Sequence, residues 1–193
     1  TALQPEQLGT GHAVMQAEKF MQEFTDGNTL VLCGDAPFMD SDTISGALRL
    51  HEEQENAVTV ITAELDQPRG YGRILRGENG IAAIVEEKDA TEAQRQVREV
   101  NSGAYWFRTK ALLELLGGLS QSNAQGEYYL TDTVGLALER SWKASAYRSE
   151  NPDVILGANT RKDLLHLNKV AQERVLEKHM ENGVNFVNTD GII

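Results

Sequence analysis

One cysteine, Cys33, is all the disulfide chemistry this 193-residue chain offers. An internal disulfide framework is excluded, and a reducing, cytoplasmic setting is expected. Histidine is also sparse, with four, and no Cys/His group has zinc-site spacing. No apolar run approaches the ~20 residues needed to cross a bilayer, and the first residues lack a basic-then-apolar signal pattern. No membrane partner is expected. Positive charge is outnumbered, 18 Lys and Arg against 29 Asp and Glu, for a formal net charge of −11. That balance argues against a general nucleic-acid surface, so no nucleic-acid partner is expected. A phosphate ligand then has to be met locally, by backbone N–H groups, a few basic side chains and a metal ion. Neither a Walker loop nor a GxGTxR-type loop occurs.

What is present is enough for one buried core: 40% hydrophobic and 24% charged residues. Apolar runs alternate with helical patterns. "TLVLCGD" (29–35) is a short apolar run ending in Gly-Asp, which predicts a buried strand feeding a loop. "SDTISGALRLHEEQ" predicts a helix capped by its Ser or Asp, with Ile44, Ala47 and Leu48 inward. "AVTVITAEL" (57–65) is β-branched and predicts a second strand. "YGRILRGENGIAAIVEEK" predicts a hairpin turning at Glu-Asn-Gly. "NSGAYWF" (101–107) is a further strand and "ASAYRS" a weaker one; helices surround "TKALLELLGGL" and "YLTDTVGLALERS", the latter capped by Thr131 or Asp132. The longest helical pattern runs from Asn159 to Gly183, with Asn159 as its cap, a stripe of Leu164, Leu167, Ala171 and Val175, and Gly183 at its C-terminus. "VNFVNTDGII" after it opens another element. Such alternation predicts an α/β sandwich around a mixed sheet.

Several residues carry two readings each. Asp35 follows an apolar strand, where open α/β folds place ligands and where one or two carboxylates serve Mg²⁺; "GDxP" is equally good turn chemistry. Gly34 permits close approach, and Pro37 fixes the exit turn. "LGTGHA" presents N–H groups and the Thr10 hydroxyl to a phosphate or base edge, or is a helix start capped by Thr10. His12 reads as a helix-start residue and Cys33 as a packed thiol. Gly72 marks close approach or a turn. Glu86 suits sugar hydroxyls and Lys88 a phosphate, although "EEKD" is commonly a solvated face. Asn101 is a polar hook or a turn residue, and Tyr128 and Tyr129 are pocket walls or core.

Taken in order, "LQPEQLGTGHAVMQA", "LVLCGDAPF", "GYGRI", "IVEEKDAT", "VNSGAYWF", "NAQGEYYLTD" and "GANTRKDL" resemble the uridyltransferase domain of bacterial bifunctional N-acetylglucosamine-1-phosphate uridyltransferase/glucosamine-1-phosphate acetyltransferases. The likeness covers nearly the whole chain. It implies a Rossmann-like nucleotide-diphospho-sugar transferase fold, with a mixed sheet between helices. It implies that N-acetylglucosamine 1-phosphate attacks the α-phosphorus of UTP, giving UDP-N-acetylglucosamine and pyrophosphate, in a reaction governed by positioning and charge neutralisation. It places Gln4, Gly9 and Thr10 on the uracil, and Asp35 and Asn159 on the Mg²⁺ that bridges the phosphates, with Asn159 also among the substrate contacts. Gly72, Glu86, Asn101 and Thr131 fall on the N-acetylglucosamine part. The family has Tyr where Cys33 stands.

The family pattern also holds a leading strand with "LAAGxGTRM" and a "PK" pair, which grip the triphosphate; neither occurs here. Residues 1–182 then correspond to a partial uridyltransferase domain, a sheet without its leading strands. Residues 183–193 correspond to the start of a left-handed β-helix region. The expectation is a piece of a larger protein, weak or inactive alone, whose whole form is a homotrimer through its C-terminal domain. Two other readings stand beside it: a non-catalytic sugar-nucleotide-binding or assembly module, and a nucleotidyltransferase for another sugar or base.

Overall fold

The computed structural model describes residues 1–78, 80–189 and 191. Its centre is β2 (Val58–Glu64), the β-branched run, buried on both faces over all but its last residue. β2 pairs antiparallel with the ten-residue β5 (Glu99–Arg108) and parallel with β6 (Ala144–Arg148). The hairpin β3 (Arg73–Gly77) and β4 (Gly80–Val85) extends the sheet to give the order β4-β3-β5-β2-β6. Asn79, in the expected Glu-Asn-Gly turn, lies outside the described residues. The mixed sheet expected from the sequence is therefore present.

Helices cover both faces. On one, α2 (Glu18–Met21), α5 (Thr109–Leu116) and α6 (Asp132–Glu139) surround a core that includes Val58, Val60, Ile74, Tyr105, Phe107, Leu112, Leu115 and Val134. On the other, α3 (Ser41–Glu53) packs Ala47 against Ile61 and Ala104, and a 3-10 turn (Pro152–Ile155) packs Val154 and Ile155 against Ala63 and Val100. The short α1 (Thr10–Met15) packs Val14 and Met15 against the first of these cores, α4 (Glu92–Arg95) accepts from Arg73 of β3 through Arg95 O, and α7 (Arg161–Glu181) follows the 3-10 turn.

β1 (Asn28–Val31) is shorter than the expected strand over 29–35 and is only half-buried; Leu32 is 47% exposed. It pairs with β5 alone, Val31 opposite Tyr105. β3 reaches β5 only at Val100. Since β2 fills the other edge of β5, β1 and β3 share one edge. They leave a notch at Asn101–Ala104, into which the Cys33–Asp35 loop turns. Gly103 breaks the ladder there, with a left-handed φ of +78°.

Three expected caps shift, and a fourth keeps its place. Asp40, one residue before the expected Ser or Asp, caps α3 by accepting from Thr43 N at 2.7 Å. The Thr10 side chain does not cap α1, whose N-cap is Gly9. Thr131 holds the N-cap position of α6 as expected, but its side chain makes no capping hydrogen bond. Asn159 does not cap α7; Thr160 and Asp163 form the capping box. The stripe on α7 is also different. Leu167 and Leu176 are buried, whereas Leu164 and Val175 are more than half exposed. Arg174 of α7 pairs with Asp153 at 2.5 Å and lies over Phe38, on the same helix that buries Leu167 and Leu176. Gly183 closes α7 as expected, at a φ of +86°, with Val184 N bonding back to His179 O. Residues 184–189 form neither helix nor strand.

Candidate functional site

The notch on β5 gathers residues from five places in the sequence. Alternation along β5 puts Asn101, Gly103 and Tyr105 on the face covered by α5 and α6. Asn101 N donates to Gly72 O at 2.9 Å, which fixes the turn into β3 against the notch. The Asn101 carboxamide oxygen accepts from Gly103 N at 2.9 Å. Glu86, just past β4, faces Gly72: a Cβ there would lie 3.3 and 3.4 Å from the two carboxylate oxygens. The Thr131 hydroxyl, freed from capping, donates to Glu86 Oε1 at 3.1 Å. Cys33 Sγ donates to Gly103 O at 3.4 Å. A Cβ on Gly103 would sit only 2.6 Å from that sulfur, so close approach and positive φ both require glycine.

Charge at the notch is net acidic. Burial pushes the Glu86 carboxyl above its ordinary range; Asp132 and Asp89 add to this, and the Thr131 hydrogen bond opposes it. Asp132 is raised by burial and by Asp89. The Cys33 thiol is raised by burial and by Asp35, and it packs against Gly103. A cavity of about 220 Å³ adjoins, lined in part by Glu86, Asp89, Asn123, Tyr129 and Asp132. Tyr129 is buried and accepts from Gln125 there.

The glycine-rich "LGTGHA" loop joins this group through the segment that carries Thr131. Gly11 N donates to Tyr128 O and Tyr128 N donates to Leu8 O, each at 2.8 Å. Leu130 N donates to the Thr10 hydroxyl at 3.1 Å. Gly9, at a φ of +104°, lies so close that a Cβ would be 2.7 Å from Tyr128 O. Gln4 Nε2 reaches back to Gly9 O at 3.3 Å and to His12 Nδ1 at 3.2 Å. His12 stacks on Tyr128, 6.2 Å between centroids. Gln4, Gly9 and Thr10 thus form one wall, and Thr131 ties it to Glu86.

Asp35 lies on the other side, exposed, on the loop after β1. No atom lies within 4 Å of where a Gly34 Cβ would be, so that flank is open. Ala158 N donates to Asp35 O at 3.1 Å, and a Gly157 Cβ would lie 3.7 Å from Asp35 Oδ2. Asn159, the next residue, is therefore brought beside Asp35 across more than a hundred residues of chain. The exposed Asp35 carboxylate is the kind of oxygen ligand a hard cation takes alongside water and substrate oxygens, and Asn159 follows directly on the loop bonded to it. No group of three or more His, Cys, Asp or Glu able to hold a metal occurs among the described residues.

Lys88 stands outside this set, its ammonium bonded to Gln125. Two contributors were not singled out in sequence. Tyr71 lies near Asp35 and Asp163, which with burial raise its phenol. Tyr105 lies beneath the notch; its position two and four residues from Gly103 and Asn101 was the available signal. No helix among the described residues is long and apolar enough to cross a membrane.

Residues 1–154 match the family model described as nucleotidyl transferase. Over 190 residues the chain is 44% identical to the bifunctional protein GlmU of Acetivibrio thermocellus, covering 98% of this chain and 41% of that one. Over 188 residues it is 45% identical to the protein of the same name from Alkaliphilus metalliredigens, covering 97% and 41%. The chain thus spans about two fifths of the length of these curated relatives. A solved structure from Bacillus anthracis, described as a glucose-1-phosphate thymidylyltransferase with sucrose bound, superposes with a TM-score of 0.66 at 18% identity, over 95% of this chain and 65% of that one. That likeness shows a shared nucleotidyltransferase fold. With the family match running over most of the sequence, the chain belongs to the nucleotidyl transferase family.

Proposed function

We propose that the chain is the uridyltransferase part of a bifunctional GlmU-type protein, forming UDP-N-acetylglucosamine and pyrophosphate from UTP and N-acetylglucosamine 1-phosphate. The observation that carries this is the convergence, in one notch, of Gly72, Glu86, Asn101 and Thr131 from four separate motifs. A bare glycine facing a half-buried carboxylate makes a small polar slot, suited to the hydroxyl and amide groups of an amino sugar. Gln4, Gly9 and Thr10 form the wall for the uracil. Asp35 and Asn159 hold Mg²⁺, which when bound offsets phosphate charge and aligns the phosphates. The residues of the chain orient the sugar phosphate and exclude water; positioning and electrostatics supply the rate. A cytoplasmic setting, assembly of the whole protein as a homotrimer, and division at residues 182 and 183 belong to the same proposal.

Calorimetry with UDP-N-acetylglucosamine and MgCl₂ tests it. Wild type binds, and Glu86→Gln weakens binding about tenfold or more, since a hydrogen bond to a charged group is worth ~1.5–3 kcal/mol. Asp35→Ala removes the Mg²⁺ dependence. Binding that ignores Asp35, Glu86 and Mg²⁺ alike sinks the assignment; tight binding with no pyrophosphate release by the full-length parent favours a non-catalytic module.

A further inference from the structure

Tyr105 is 1% exposed and packed as core. Its strand partners are Val31 and Val60, and its ring stacks on Phe107 at 5.6 Å. Its hydroxyl makes no hydrogen bond within the described structure. The polar groups acting on it are Glu86, Asn101, Cys33 and Asp132, all at the notch or its adjoining cavity. The Asn101 carboxamide is placed to favour the phenolate, as a donor does, without reaching full hydrogen-bond geometry. Asn101 Oδ1 is already committed to Gly103 N, which leaves Nδ2 as the free end of that amide. Thr131 occupies only Oε1 of Glu86. Leaving a buried hydroxyl unpaired costs stability, and phenylalanine would pack in the same space without that cost. The hydroxyl therefore calls for a use that packing does not supply.

We propose that Tyr105 is a positioning residue of the sugar pocket, its hydroxyl accepting from Asn101 Nδ2 and donating to the Glu86 carboxylate when the sugar phosphate binds. The inference rests on reading the notch as the sugar site. A closed Asn101–Tyr105–Glu86 chain holds the amide and the carboxylate at a fixed separation beneath the sugar. Burial drives the phenol well above the ordinary tyrosine range, so it stays protonated and able to donate throughout neutral pH.

The test is Tyr105→Phe in the 193-residue chain, by thermal melting and by calorimetry with UDP-N-acetylglucosamine and MgCl₂. The free variant melts at or above the wild-type temperature, while its Kd rises about three- to tenfold, the equivalent of one hydrogen bond. Adding Tyr105→Phe to Asn101→Ala weakens binding by less than Tyr105→Phe does alone, because the closed chain is already broken at Asn101 and only the Glu86 end remains to be lost. An unchanged Kd overturns the proposal. So does a lowered melting temperature with unchanged affinity, or full and independent losses in the double variant. Wild type that fails to bind the probe overturns the site reading first, and the proposal with it.

Discussion

Two buried polar atoms stand without a hydrogen bond in the described structure, Tyr105 Oη and His51 Nε2, and they lie on opposite faces of the sheet. His51, on α3, is anchored: Nδ1 meets the Thr59 hydroxyl at 3.0 Å, and Asn56 donates to the same hydroxyl at 3.0 Å. Asn56 in turn accepts from Ser145 on β6. One loose end in an otherwise connected network is a structural device. Tyr105 has no such anchor, and its polar surroundings are the notch residues. The two faces differ in charge as well. Burial and Arg108 hold His51 neutral, with its pKa lowered to about 4, whereas Glu86 and Asp132 at the notch are raised. One face spends its buried polarity on joining α3 to the sheet; the other ties Glu86 and Asn101 to Thr131 and Gly103 and leaves the Tyr105 hydroxyl without a partner among the described residues.

The largest effect that can break this contrast is steric. Gly103→Ala forces a left-handed φ and a Cβ 2.6 Å from Cys33 Sγ, and is expected to destabilise the fold by about 3 kcal/mol in urea melts while abolishing binding. Gly72→Ala meets Glu86 at 3.3 Å without a strained φ; it keeps the wild-type melt within about 0.5 kcal/mol and loses affinity instead. Equal loss of stability in both would erase the distinction between framework and pocket.

Next in size is pH. His51 has a folded pKa of about 4, below its ordinary 6.5, so the unfolded chain takes up the proton first. Its contribution is complete above pH 6.5 and is lost as pH falls toward 4, by at most about 3 kcal/mol. The notch carboxyls act in the opposite direction. Glu86 and Asp132 have raised folded values, so they favour the fold at acid pH and lose that contribution as pH rises through the carboxylate range. His51→Gln is expected to flatten the stability gain between pH 4 and 6.5, and Glu86→Gln to make it steeper. A His51→Gln profile superimposed on wild type shows that the two faces do not titrate as described.

The smallest effect sharpens the role of Asn159. Thr160→Ala removes the α7 cap and lowers local stability by about 1 kcal/mol, read by hydrogen exchange in the first turns of α7. Asn159→Ala leaves that exchange unchanged and weakens Mg²⁺-dependent binding. The reverse pattern returns Asn159 to a capping role.

Much of this was legible in the chain itself, and unevenly. β2 and β5 are strands because their β-branched and aromatic runs suit a buried pleat, and the pattern is local. The hairpin follows from its glycine turn and flanking apolar residues. Side-chain caps were displaced or lost because each needs one particular hydroxyl or carboxylate to face an N–H group. Thr131 faces Glu86 and Thr10 faces Leu130 instead. The buried face of α7 carries Leu167 and Leu176 and not the full Leu164–Val175 stripe, because which face turns inward is set by distant partners such as Asp153 and Phe38, which Arg174 meets. Tyr105 is not legible as more than core, because its ring is core and only its unpartnered hydroxyl departs from that.

The sequence by itself determined the alternation of strands and helices, the excess of acid over base, and the motif set that places the chain among nucleotidyltransferases. Those properties follow from composition, period and order along the chain. Tertiary structure decided that β1 and β3 meet β5 end to end and leave a notch. It decided that the Asp35 loop is bonded to Ala158, next to Asn159, and that the Tyr105 phenol is buried on the strand that carries Asn101. Such contacts join residues far apart in sequence, where the cost of ordering the chain is offset only when the whole sheet closes at once.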